Sequence, residues 1–174
     1  MREEFSKFDS PSITLGITGH QKLPQQEQWA WVEYQFSRIL SELSSFDKVV
    51  VSSLAAGTDQ LFADTALCHN AHLQVIIPSE GYRQTFTGST DLEHYDYLLK
   101  RAESIITLDF ANPSEEAYMC AGRQVVDRCQ LLVAVWNGLP AVGLGGTADV
   151  VQYALNQGRH VTHLNPLDLS VREL

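Results

Sequence analysis

The chain has 174 residues, 44% of them hydrophobic and 19% charged, and 21 acidic against 12 basic side chains leave a formal charge of −9. That length suits one domain with a substantial core, while the acidic balance excludes an extended surface tracking nucleic-acid phosphates. Three cysteines without a CxxC pair, an N-terminus "MREEFSKFDSPS" without the apolar centre of a signal peptide, and no apolar run of membrane-spanning length set the expectation of a cytoplasmic protein.

After a tail over 1–11, "ITLGITG" (13–19) predicts a strand ending in glycine. Over 24–43, Trp29, Val32, Phe36, Ile39, Leu40 and Leu43 recur at helical spacing and predict a helix with one apolar face, with Pro24 in its first turn. The adjacent Trp29 and Trp31 cannot share one helix stripe, so one of them is available to a partner. "KVVVSSLAAG" (48–57) is the second strand, and "TDQLFADTALCHN" (58–70) follows as a helix with Thr58 or Asp59 as its cap. A third strand, "LQVIIP" (73–78), precedes a polar loop over 79–90 that serves either as a lid or as a solvated connection. A helix over 91–103, a strand over 104–109 and a helix over 112–129 come next. "QLLVAVWNG" (130–138) is the most apolar strand, and a glycine-rich loop then leads into a helix carrying Val150, Val151, Ala154 and Leu155. "HVTHLNP" (160–166) is the last strand, and 169–174 is set apart as a C-terminal tail.

Six strands separated by helices require parallel pairing, because each crossover is long enough to carry the chain back across the sheet. The apolar runs are continuous, as expected where both faces of a sheet are covered. The predicted fold is therefore α/β: one doubly wound domain over 12–168, with a mainly parallel six-stranded sheet flanked by helices.

In such a sheet ligands bind beyond the carboxyl ends of the strands, where the winding reverses. Four small-and-polar clusters fall just after strand ends: Thr18-Gly19-His20, Ala56-Gly57-Thr58-Asp59, the Trp136 segment, and the loop with Gly145, Gly146 and Thr147. Free amides at a helix N-terminus, with no Cβ atoms to obstruct approach, suit a phosphate. Taken singly, each cluster has a plainer role. Gly19 and Gly57 serve tight turns, the threonines cap helices, His20 forms a local hydrogen bond, and Asp59, Asp149, Glu115 and Glu116 complement helix dipoles. Neither a GxGxxG fingerprint nor a Walker A motif is present, which disfavours a conventional NAD dehydrogenase or P-loop enzyme.

The set "ITGHQKLP", "SSLAAGTDQLFA", "GRQVVDRCQLLVAVWNG" and "GLGGTADVVQYA", in this order, resembles the SLOG superfamily. That superfamily gathers Rossmann-like domains related to DNA-processing protein A and the Lonely Guy phosphoribohydrolases. The resemblance spans roughly residues 12–166 and implies a Rossmann-like domain that binds a nucleotide or nucleotide-derived signal. It further implies a sensor or carrier in bacterial signalling or defence, self-association as a homo-oligomer (dimer), and a separately encoded effector protein. No cofactor or metal is required; the nucleotide is the ligand. Lonely Guy enzymes use a Pro-Gly-Gly-x-Gly-Thr-x-x-Glu loop, on which Val142 falls at the proline, Leu144 at the second glycine and Val150 at the glutamate. A valine neither holds nor transfers a proton, so a nucleotide N-glycosidase is the alternative function. Arg123 matches an arginine on the preceding helix and is expected to contact an anion. Gln21 stands where binding-type members carry arginine in a Thr-Gly-His-Arg turn. The expected ligand-binding residues are Thr18, Gly19, His20, Ala56, Gly57, Thr58, Asp59, Arg123, Trp136, Gly145, Gly146 and Thr147, with Trp136 or Tyr82 stacking a base.

Overall fold

A computed structural model describes residues 10–141 and 143–174. The expectations for residues 1–9 of the N-terminal tail and for Val142 lie outside the described residues. The elements run β1 (Ser12–Gly19), α1 (Gln26–Glu42), β2 (Asp47–Ser52), α2 (Thr58–Cys68), β3 (His72–Ile77), a 3-10 turn (Tyr82–Thr85), α3 (Ser89–Leu99), β4 (Ser104–Thr107), α4 (Glu115–Arg128), β5 (Leu131–Val135), α5 (Thr147–Asn156), β6 (His160–Asn165) and β7 (Ser170–Glu173).

The sheet order is β4-β3-β2-β1-β5-β6-β7, parallel throughout except for the last pair. The chain winds outward from β1 to one edge, then returns through α4 to place β5 on the other side of β1. Alternate strand residues divide the core into two layers. Leu15, Ile17, Val50, Val75 and Val133 face α1, α2 and α3, with Phe36 set edge-on to Phe62. Val51, Ile76, Leu132, Ala134 and Val161 face α4 and α5. Covering both faces is what the uninterrupted apolar runs require. Each fully buried Leu, Val, Ile or Phe contributes roughly 1.5–3 kcal/mol, so the central strands anchor the domain.

The sheet has seven strands, not six. Ser170–Glu173, set apart as a tail by the sequence, pairs antiparallel with β6. Asp168 Oδ1 accepts from the Ser170 amide at 3.1 Å, and Thr162 Oγ1 donates to the Glu173 carboxylate. Four residues are too few for periodicity to register, so this strand exists through its pairing alone. Helix starts also differ. Gln25 caps α1 and exchanges a reciprocal bond with Gln28, leaving Pro24 outside the helix. Gly57, in place of Thr58 or Asp59, caps α2. Trp29 and Trp31 are both half-buried against the main core, so neither stands out as a partner-facing ring. No described helix is long and apolar enough to cross a membrane.

Candidate functional site

The winding reverses between β1 and β5, and a cavity of about 900 Å³ opens beyond their carboxyl ends. Two backbone links join the turns there: the His20 amide donates to Val135 O at 3.1 Å, and the Thr58 amide donates to His20 O at 3.3 Å. The His20 ring completes the junction, its Nε2 accepting from the Asn137 amide at 3.2 Å. Burial lowers the His20 pKa, with a hydrogen bond to the Asn137 side chain acting in the opposite sense. A neutral ring protonated at Nδ1 fits this bonding, as assigned from the hydrogen-bond network.

Thr18, Gly19 and His20 line one wall of the cavity, and Ala56 and Asp59 line its floor. Trp136, Gly145, Gly146 and Thr147 line the opposite side. Three of the expected residues stand apart from the lining. Gly57 has φ +92°, and a Cβ there would lie 2.3 Å from Gln21 O, so this glycine lets the α2 turn lie against the β1 turn. Thr58 is fully buried, its Oγ1 unpartnered and pressed against the Gly19 backbone. Arg123 is exposed, with its guanidinium 5.3 Å from the centre of the Tyr153 ring on α5. It does not line the cavity.

The glycine loop is partly engaged. Gly145 donates its amide to Asp149 Oδ2 at 3.0 Å, so this N–H is not free as the sequence suggested. Among the described residues, no bond engages the amides of Gly146, Thr147 or Ala148. These three lie at the start of α5, where the helix dipole favours negative charge. Val150, at the position of the Lonely Guy glutamate, is 3% exposed and packs on Gly122 of α4.

Asp59 is the most perturbed acid of the site. Its carboxyl accepts from Ser52 Oγ at 3.2 Å and from the backbone amides of Ser53 and Ala55. Burial nevertheless pushes its pKa up to about 7, because the charged form loses more hydration than these donors replace. The turn it organises contains Leu54, a fully buried residue at φ 54°. Non-glycine residues seldom adopt that conformation, which recurs at binding and catalytic turns.

The 79–90 segment closes the far side of the cavity. Arg83 holds the Asp96 carboxylate of α3 through two bonds, at 2.9 and 2.6 Å. Tyr82, 5% exposed, is set edge-on to Phe86, Tyr95 and Tyr118. Tyr82 is thus mainly core, while the less buried Phe86 and Tyr118 offer aromatic surface to the cavity. The sequence named Phe86 only as part of the 79–90 lid and Asn137 only within the Trp136 segment, and it did not single out Tyr118 or Lys22. Only their position over the strand ends marks them. Glu115, read as a dipole partner, also lines the cavity, its Oε1 beside the Gly143 α-carbon. Trp136 is tied back, its Nε1 donating to Leu139 O at 2.7 Å while its ring lies 5.2 Å from that of His163.

No protein-family model matches the sequence, and no curated protein matches it significantly. Solved structures do share its fold. DNA processing protein A from Streptococcus pneumoniae superposes with a TM-score of 0.64 at 16% identity, covering 87% of this chain and 50% of its own. The chain thus spans half the length of that protein. A single-stranded-DNA-binding DNA processing protein A from Helicobacter pylori gives 0.64 at 15% identity, covering 94% of this chain and 73% of its own. The molybdenum cofactor carrier protein of Chlamydomonas reinhardtii gives 0.54 at 14% identity, covering 87% and 75%. These structures share the α/β fold of this chain, a mostly parallel sheet flanked by helices, as the sequence led one to expect.

Proposed function

We propose that this chain is a SLOG-type domain that binds a nucleotide or nucleotide-derived ligand and acts as a sensor or carrier in signalling or defence, read out by a separately encoded effector. One observation carries the proposal: a single cavity at the switch point is lined jointly by the β1 turn, the β2–α2 turn and the glycine loop before α5. The amides of Gly146, Thr147 and Ala148 take a phosphate, with Lys22 as a nearby cation. Asp59 accepts from a sugar hydroxyl, and Phe86 and Tyr118 supply apolar contact to a base. Among the neighbours of the same fold, one carries the molybdenum cofactor and another binds single-stranded DNA. The formal charge of −9 and the carboxylates Asp59, Asp91 and Glu115 in the cavity favour a compact ligand over a polynucleotide. Calorimetric titration with nucleotides, cyclic nucleotides and ADP-ribose-type compounds is the test. Binding that disappears in Gly146→Asp is expected; no binding, or binding indifferent to that substitution, refutes the proposal.

A second reading is nucleotide N-glycosidase activity, favoured by Asp59, whose pKa of about 7 suits proton transfer near neutral pH. Against it, Val150 leaves the loop without the glutamate used by Lonely Guy enzymes. Release of free base from nucleoside monophosphates, lost in Asp59→Asn, would establish it; intact nucleotide after prolonged incubation would exclude it.

A further inference from the structure

Of the three carboxyl side chains that line the cavity, Asp59 alone is removed from water, while Asp91 and Glu115 are exposed. Among the described residues no lysine, arginine or histidine forms an ion pair with it. Its hydrogen-bond partners are all of one kind. The Ser52 hydroxyl, itself receiving the Leu54 amide at 2.9 Å, donates to Oδ2 at 3.2 Å, and the amides of Ser53 and Ala55 donate as well. A proton on Asp59 therefore has no acceptor in this turn, and the open side of the carboxyl is the cavity. Burial without a counter-ion favours the neutral form of a carboxyl, and an anion entering the same space adds to that preference. Lys22 is the one lysine or arginine among the described lining residues, and Asp91 of α3 and Glu115 of α4 oppose it. The remaining ionisable groups of the lining are His20, whose pKa burial lowers, and Tyr82 and Tyr118, whose pKa values burial raises. All three are uncharged near neutral pH. Helix α1 and strand β3 add no ionisable side chain to this lining.

Resting on the nucleotide-binding reading above, we propose that Asp59 meets the ligand as a neutral acid, donating its proton in a hydrogen bond to one sugar oxygen while accepting from a neighbouring hydroxyl, so that the anion is bound together with a proton. No covalent bond to the ligand forms. Where Asp59 is ionised beforehand, the proton comes from solvent and stays on the carboxyl in the complex. An ionised Asp59 would instead add a third negative charge to a cavity that already sets two carboxylates against one lysine. Affinity must then fall as pH rises past the point where Asp59 of the free protein ionises, at about 7. The apparent dissociation constant is the intrinsic one divided by the protonated fraction, which drops from about 0.9 at pH 6 to about 0.1 at pH 8, so Kd rises about tenfold across that interval.

Calorimetric titration of the whole chain with nucleoside monophosphates, cyclic nucleotides and ADP-ribose, at pH 6, 7 and 8 and in two buffers of different ionisation enthalpy, tests this. At pH 8 the wild type is expected to take up close to one proton per ligand bound and to bind about tenfold more weakly than at pH 6. That proton count is read on the wild-type chain and needs no variant. Asp59→Asn keeps a side chain that both donates and accepts but has no proton to lose, so its affinity should not follow this slope. Ionisation of the nucleotide's own phosphate, and of the other lining groups, is common to both proteins and cancels in the ratio of their dissociation constants. Failure of every probe to bind removes the functional reading, and this proposal with it. Binding whose wild-type to variant ratio is constant from pH 6 to pH 8, or that tightens toward pH 8 with release of a proton, overturns this proposal and leaves the functional reading standing.

Discussion

Replacing Asp59 by asparagine removes a carboxyl that is 6% exposed and accepts bonds from Ser52, Ser53 and Ala55. Its pKa of about 7 in the folded chain compares with 3.8 for the ordinary group. Between those values the unfolded chain has released the proton while the folded chain still holds it. Stability must then fall as pH rises across this window, by about 1.4 kcal/mol per pH unit. Over roughly three units the loss reaches about 4 kcal/mol, a large part of a typical domain's stability. Urea titrations of wild type and Asp59→Asn at a series of pH values isolate this effect, because unrelated ionisations cancel in the difference. The constant offset between the two proteins reflects the altered hydrogen bonding of asparagine; the slope reflects the proton. Wild type should lose stability relative to the variant from about pH 4 to pH 7 and run parallel to it above. Parallel curves throughout would show that Asp59 ionises as an ordinary carboxyl and would refute this reasoning.

Ser52→Ala removes one donor that favours the charged form of Asp59, so in the same titration the pH-dependent loss should begin at the same pH and extend to a higher one. It also orphans the Leu54 amide, bound to Ser52 Oγ at 2.9 Å, at a cost of about 1–3 kcal/mol. His72 touches Asp47 at 3.2 Å and also Glu103, and the Glu103 hydrogen bond is the main cause of its raised pKa. Its contribution is fully present below pH 6.5 and is lost as pH rises through the raised value. The stability gap between wild type and His72→Gln should therefore close in alkaline buffer, and a gap independent of pH would refute the pairing. Gly57→Ala forces a Cβ against the Gln21 carbonyl at φ +92°. It should lower the urea midpoint by the equivalent of about 1–3 kcal/mol or more and weaken ligand binding by displacing the β1 turn. An unchanged midpoint would mean that the two turns do not meet so closely.

The sequence carried the alternation of strands and helices because burial on both sheet faces leaves long apolar runs between turn residues, from Ile13–Gly19 to His160–Asn165. It also carried the grouping of Thr18, Asp59 and Gly146 at one sheet edge, since parallel connectivity sends every strand's carboxyl end to the same side. The short β7 was not legible, because four residues acquire strand character only from the β6 backbone beside them. Nor could the chain alone assign Arg123 to the outer surface or Tyr118 to the cavity. Which face a helical side chain presents depends on how that helix docks, and the docking is settled by distant residues such as Gly122 against Val150. The perturbed acidity of Asp59 belongs to the same category. A carboxyl's affinity for its proton follows from how much water the surrounding fold removes, and that is a property of the packed structure, not of local sequence.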